Sequence, residues 1–394
     1  RGSQGRRYLA FLGHMHAVMQ SSSRPDFEFS SMANFDRYNE NVGDTEEDLT
    51  DVLPPTPVNP LVGSSTIAVA ALFTAADGSP GQHLARLAAQ DAMDLSFFSN
   101  EVLAIWSMRE GRAFTPPHPD VDALAGNLGQ HLLEESRTPA VWLISQLTEH
   151  MGLPSRAFAQ AVTMFDIYCQ KMDGALGAES LPGLCVAICS LIHKLEMPNE
   201  PVDGRVLLSA ASWLSKWLES TGQAAVPLTL KGLRCYEECV LEAFQWQINI
   251  PSIESWMLAF CGRMDAASGG IFRSSLKWVM YQGAMLARVL VQKVPVSELR
   301  PHRFARGLFS HGLVAAELLP LHALRPEGQI GIDEWEQLYL QTGWGEELPK
   351  CAVPEECADT TCNLLEMVMN SRLSVLRQDA LLLANFAREA FTQP

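Results

Sequence analysis

Glu237 is the side chain whose surroundings in the sequence most demand a chemical reason. Between Leu230 and Ile248 the apolar residues Leu230, Leu233, Val240, Leu241, Phe244 and Ile248 recur at helical spacing and define one face. Glu237 lies four residues after Leu233 and three before Val240, in the middle of that face. Burying an ionised carboxylate alone costs several kcal/mol, so it needs a cation or a wet edge. Two readings follow: an ion pair within the chain, or a face that is partly core and partly a meeting point with a second protein. Glu238 adds a neighbouring carboxylate, but adjacent helical residues point about 100° apart, so the two do not form an acid/base pair.

The other candidates are weaker. Cys185/Cys189 and Cys235/Cys239 have i,i+4 spacing that could share a metal on one turn. No CxxC or CxxH ligands stand nearby, and buried small apolar residues are the stronger reading for both pairs. His14 and His16 have no carboxylate or cysteine ligands beside them and read as surface tail. His150, His193, His302, His311 and His322 are scattered; of these only His193, beside Lys194, is close to a suspected site. The chain contains no Gly-x-Ser-x-Gly, P-loop, Asp-Asp-x-x-Asp or His-Glu-x-x-His pattern. No catalytic, cofactor-binding or metal-binding set emerges, so a helical enzyme is the least supported class.

Composition narrows the partners. The chain of 394 residues is 47% hydrophobic, enough for two cores with tails. A net charge of -16 argues against a general nucleic-acid or anionic-membrane binder, which needs a basic stripe. Nine cysteines are an odd number, and most lie within apolar helical patterns, which reads as a reducing, intracellular compartment. No charge-free apolar run reaches the length of a membrane span.

The elements that must position Glu237 are helices. Residues 21–62 carry nine Asp/Glu against Arg24 and Arg37, with Pro54-Pro55-Thr56-Pro57, a disordered composition. Helices are expected over Ser96 to Arg109 and Asp120 to Glu135. Then come Ala140 to Met151, ended by Gly152, and Ser155 to Lys171. Leu181 to Leu195 is apolar on nearly every side and reads as the buried hub of a bundle. Val206 to Leu218 and the Glu237 helix complete a group of five. Asn249-Ile250-Pro251 breaks the chain, and Ser252 restarts it as a helix cap. A second train follows: Ile253 to Arg263, Phe272 to Val294, His302 to Leu319, Ile332 to Gln341 and Val353 to Ser371.

Four motifs then occur in order. Arg137 is followed closely by Trp142. Next come Ala161-Val162-Thr163-Met164-Phe165-Asp166-Ile167-Tyr168 and Cys189-Ser190-Leu191-Ile192-His193-Lys194-Leu195-Glu196. Last are Tyr236-Glu237 and Phe244-Gln245-Trp246-Gln247-Ile248-Asn249-Ile250-Pro251-Ser252. Together these resemble the cyclin family over about Arg137 to Phe260. The resemblance implies an all-α fold of two tandem five-helix cyclin-box bundles behind a partly disordered acidic N-terminal region. The expected divisions are 1–124 for that region, 125–251 for a kinase-binding first box and 252–394 for a second, cyclin-like box.

The resemblance also implies roles. Arg137 and Asp166 match a buried structural ion pair. Lys194 and Glu237 match the residues that hold the kinase, with Leu195, Leu241, Trp246 and Ile248 as apolar neighbours in that interface. The implied function is a regulatory subunit, without catalysis or cofactors of its own, that activates a cyclin-dependent Ser/Thr kinase by positioning its αC helix in cell-cycle control. Nucleus and cytoplasm are the implied locations. The family's Met-Arg-x-Ile-Leu docking patch is represented by Ser136-Arg137-Thr138-Pro139-Ala140, which lacks three large apolar residues and argues against docking of Arg-x-Leu substrates. The alternative function is a cyclin-fold scaffold or transcription-factor-like adaptor that does not activate a kinase.

Overall fold

The computed structural model describes residues 87, 89–91, 93, 98–114, 137–172, 180–198, 204–220, 228–294, 300–319, 321–324 and 358–392. Among them there are helices and no strands. The expected helices over Asp120 to Glu135 and Ile332 to Gln341, and the acidic segment 21–62, lie outside the described residues. The chain divides into two compact units, one containing residues 116–248 and the other joining 49–115 to 249–394.

Among its described residues the first unit holds five helices. The helix α2 runs over residues 137–150. It is followed by α3 (Ser155–Lys171), α4 (Leu181–Glu196), α5 (Gly204–Ser220) and α6 (Leu230–Ala243). In α4 every residue from Leu181 to His193 is buried, and α3, α5 and α6 all pack on it, as its all-round apolar sequence requires. Gly183 lets α6 come close, because a Cβ there would stand 2.3 Å from the Tyr236 ring. Gly152, at φ 66°, ends α2: the Leu153 N–H reaches back to the Thr148 carbonyl at 2.9 Å and closes the turn. The start of α6 is held by Thr229, whose hydroxyl accepts from the Gly232 N–H at 3.1 Å.

The second unit takes α1 (Asn100–Ala113), and helical residues 87, 89–91 and 93 before it, from far upstream. The others are α7 (Ile253–Ala267), α8 (Arg273–Lys293), α9 (Pro301–Ala315), α10 (Leu321–Leu324), α11 (Ala358–Met369) and α12 (Leu373–Thr392). Ser252 caps α7, accepting from the Ser255 N–H at 3.1 Å. α7 is the hub of this unit, buried along most of its length, with α8, α9 and α11 against it. α12 packs on α9. The last expected helix, Val353 to Ser371, ends close to the observed end of α11, but no helix was expected beyond it, so α12 is an addition. The chain leaves α11 through Asn370, in the left-handed region at φ 47°, and restarts at Leu373, whose N–H is accepted by the Glu366 carboxylate.

Two buried polar groups join α1 to the rest of its unit. Arg263 on α7, fully buried, donates to the carbonyls of Phe98 at 2.8 Å, Val368 at 2.6 Å and Met367 at 2.9 Å, and to Asn100 Oδ1 at 2.9 Å. Glu110 on α1, also buried, accepts from Trp256 Nε1 at 2.9 Å and lies 2.5 Å from His302 Nδ1. It also accepts the His302 backbone N–H at 3.3 Å. The carboxylate thus caps the first turn of α9, where exposed N–H groups favour negative charge. The Trp106 ring meets Trp256 edge to face at 5.3 Å beside it.

One buried imidazole makes this unit sensitive to acid. His311 on α9 bonds through Nε2 to the Ala380 carbonyl at 2.8 Å, and burial pushes its pKa down to about 4. The folded state therefore holds His311 neutral while an unfolded chain protonates it at about 6.5. Its stability contribution is whole above that value and is lost as pH falls toward 4. At about 1.36 kcal/mol per unit, the loss is about 3 kcal/mol. Hydrogen exchange of α9 and α12 amides should speed up over that window in the wild type and much less in His311→Gln; equal acceleration in both would contradict the assignment.

Candidate functional site

The last turn of α4 and the middle of α6 meet where the first unit's core reaches solvent. On α6 the buried residues Leu233 and Val240 share one side of the helix, and Glu237 lies within about 40° of Leu233 on that side. On α4, Ser190 and Lys194 are one turn apart, so both face the same neighbour. Lys194 Nζ donates to Glu237 Oε1 at 2.7 Å and to Oε2 at 2.8 Å. The Ser190 hydroxyl donates to Oε1 at 2.5 Å. The carboxylate on the apolar stripe thus has its cation within the chain.

Burial is unequal across this cluster. The Glu237 side chain is 13% exposed and that of Lys194 47%. An ion pair with one partner this open contributes at most about 1 kcal/mol, because water screens it and a long side chain must be ordered. Stability is therefore a weak reason for its presence. What the geometry does provide is a fixed carboxylate, with an ammonium reachable from outside, on two helices that a packed core holds in register. Such a pair can accept from and donate to the polar main chain of another molecule at one place.

The apolar candidates fall around these two helices. Leu195 follows Lys194, Leu241 lies one turn beyond Glu237, and both are half-buried, as is Ile248. Trp246 is 67% exposed. After α6 the backbone turns through two left-handed residues, Gln245 at φ 50° and Trp246 at φ 63°. The Trp246 N–H bonds to the Leu241 carbonyl at 2.7 Å, and the Gln245 N–H to that of Glu242 at 2.9 Å. This is the usual hydrogen-bonded close of a helix, but without the glycine that normally occupies it. Each such residue costs roughly 1–2 kcal/mol, and here the turn leaves a large aromatic ring in solvent.

Elsewhere in the first unit, Arg137 at the described start of α2 holds Asp166 of α3 with two nitrogens, Nε to Oδ1 at 3.0 Å and Nη2 to Oδ2 at 3.3 Å. Both residues are buried. Burial pushes the neighbouring Cys169 thiol well up, with Asp166 adding to the effect and Arg137 opposing it. Tyr168, beside them, is raised to about 12, again by burial first.

The thiol pairs divide. Cys185 and Cys189 are buried as expected, and burial raises both thiols, Cys189 to about 12. Cys235 and Cys239 are exposed, contrary to the expectation of burial. They sit about 200° and 240° around α6 from Leu233, on the side away from the core. No three His, Cys, Asp or Glu residues gather into a metal-binding set among the described residues. No described helix is long and apolar enough to cross a membrane. The sequence reading missed Ser190 as a partner of Glu237, although its position one turn before Lys194 was the available signal. Comparison with family models, with curated proteins and with solved structures finds no match for the chain.

Proposed function

We propose that this chain is a cyclin-type regulatory subunit that binds a cyclin-dependent Ser/Thr protein kinase and activates it by positioning the kinase's αC helix. The observation that supports this most is the Lys194–Ser190–Glu237 cluster, fixed on two packed helices yet open at its ammonium. In this reading the pair grips polar main chain of the kinase, while Trp246, Leu195, Leu241 and Ile248 supply apolar contact, the usual division between orientation and affinity. The buried Arg137–Asp166 pair then holds α2 against α3. The subunit contributes no catalytic group. Its role is in cell-cycle control, in the nucleus or cytoplasm.

The test is co-purification from cells of the wild-type chain and the double reversal Lys194→Glu/Glu237→Lys, with mass spectrometry and a histone-kinase assay of the eluates. The reversal keeps an internal pair of opposite charges, so the first unit should stay folded, while the polarity offered to a partner inverts. The wild type should carry a cyclin-dependent kinase with activity, and the reversal should lose at least tenfold of both. Neither chain carrying a kinase, with other partners equal on both, would instead favour a cyclin-fold scaffold.

A further inference from the structure

The second unit contains a polar pocket of about 470 Å³ at the junction of α11 and α12, with Asn100 of α1 and Gln90 in its lining. This is within the range of about 300–1,000 Å³ of small-ligand sites, but the lining is unlike theirs. Four of its side chains are carboxamides: Gln90, Asn100, Asn363 and Asn370. We propose that this pocket binds the main chain of an extended peptide.

The reasoning is chemical. A carboxamide carries one acceptor and a two-proton donor side by side, and one residue of an extended chain turns its N–H and C=O to the same side, so the two can bond at both points whatever the peptide's side chains are. Asn363 is half-buried and Asn370 exposed, and neither side chain makes a hydrogen bond among the described residues. Their donors and acceptors are therefore available to a ligand. Glu366 and Arg372 add one charge of each sign to the lining, so a nucleic-acid strand or a bare cation would meet repulsion from one of them. A main chain, with no net charge, meets none.

The site is also built in advance, which reduces the ordering cost of binding. The orientation of Asn100 is set by Arg263, which donates to its Oδ1 at 2.9 Å. The turn carrying Asn370 is closed by the Ser371 N–H on the Glu366 carbonyl at 3.1 Å. The Ser371 hydroxyl accepts from Arg306 at 3.0 Å, and the Glu366 carboxylate holds the Leu373 N–H. Arg372 and Asn370 are exposed, so the rim is open and a chain can pass along it.

The experiment pans a phage-displayed library of random peptides, each about twelve residues long, on the full chain. Enriched peptides are then measured by fluorescence anisotropy against the wild type, Asn370→Gly and Asn363→Ala. Asn370→Gly removes a carboxamide where glycine suits the left-handed backbone, so the fold should hold, and a thermal melt checks this. Each variant should weaken binding about fivefold or more. Methylating one central backbone nitrogen of the peptide should weaken it at least tenfold, while replacing single peptide side chains by alanine costs less than threefold. No enriched peptide, binding indifferent to Asn370→Gly, or binding indifferent to backbone methylation would each overturn the proposal.

Discussion

Replacing Arg263 with alanine is expected to destabilise the second unit by about 3–5 kcal/mol, the loss seen when a buried charge network is broken from one side. The guanidinium is fully buried and reaches acceptors in two stretches of chain: Phe98 and Asn100 at the start of α1, and Met367 and Val368 at the end of α11. The last carbonyls of a helix have no partner of their own and carry the negative end of its dipole. Arg263 therefore caps α11 from another helix while holding the entry of α1. Alanine takes a donor from four oxygens at once and leaves a cavity in their place. Lysine offers donors at a single point and cannot spread over all four, so Arg263→Lys should recover little. Urea unfolding of the full chain should resolve this as an earlier transition of the second unit. A loss below about 1 kcal/mol would show that the network contributes little. Whole-domain stabilities are only about 5–15 kcal/mol, so the expected loss is a large share.

The second large effect belongs to the first unit. Asp166→Ala should cost about 3–5 kcal/mol, because it leaves the Arg137 guanidinium buried without its carboxylate. Removing both charges together should be much milder. A buried ion pair gives back most of its attraction as desolvation, so Arg137→Met/Asp166→Leu should recover most of the loss. Thermal melts of the two variants at pH 7 decide the matter. If the double variant is as unstable as the single one, the pair's hydrogen bonds, and not the unpaired charge, carry the effect. Under the proposed function, Asp166→Ala should lower kinase recovery only in proportion to its unfolded fraction.

Much of the first unit could be read directly. The span Ser155–Lys171 was legible because its apolar stripe begins just after Pro154 and breaks at the polar residues after Lys171. The buried hub announced itself through Leu184, Val186, Ala187, Ile188, Leu191 and Ile192 on all sides of one helix. Glu237 was conspicuous for the opposite reason, one charge on an apolar face. The same signal was present at Arg263, a single cation among Trp256, Met257, Phe260, Cys261 and Met264, but it looked like the end of a helix. The end of α11 was legible to within two residues, but α12 beyond it was not expected, although Leu376, Ala380, Leu383 and Ala387 recur at helical spacing on its buried side. The expected start of α1 at Ser96 was early, since Ser99 stands at the N-cap and the helix runs on to Ala113. The union of Glu110 with His302 was beyond any local pattern, since 192 residues separate them.

That separation governs the order in which the protein can mature. α1 leaves the ribosome before α2 to α6, yet Trp256, Arg263 and His302, to which it bonds, are made after them. The described helices of the intervening unit lie between residues 137 and 243 and can close on one another while synthesis continues. The nascent α1 segment must wait meanwhile with Leu103, Trp106 and Glu110 uncovered, the kind of exposed apolar surface that chaperones recognise. Long-range closure of this sort is slow, because the ends of a long loop must meet before any contact rewards them. The segment 116–248 thus interrupts the chain of the second unit, whose completion must wait for the residues after it.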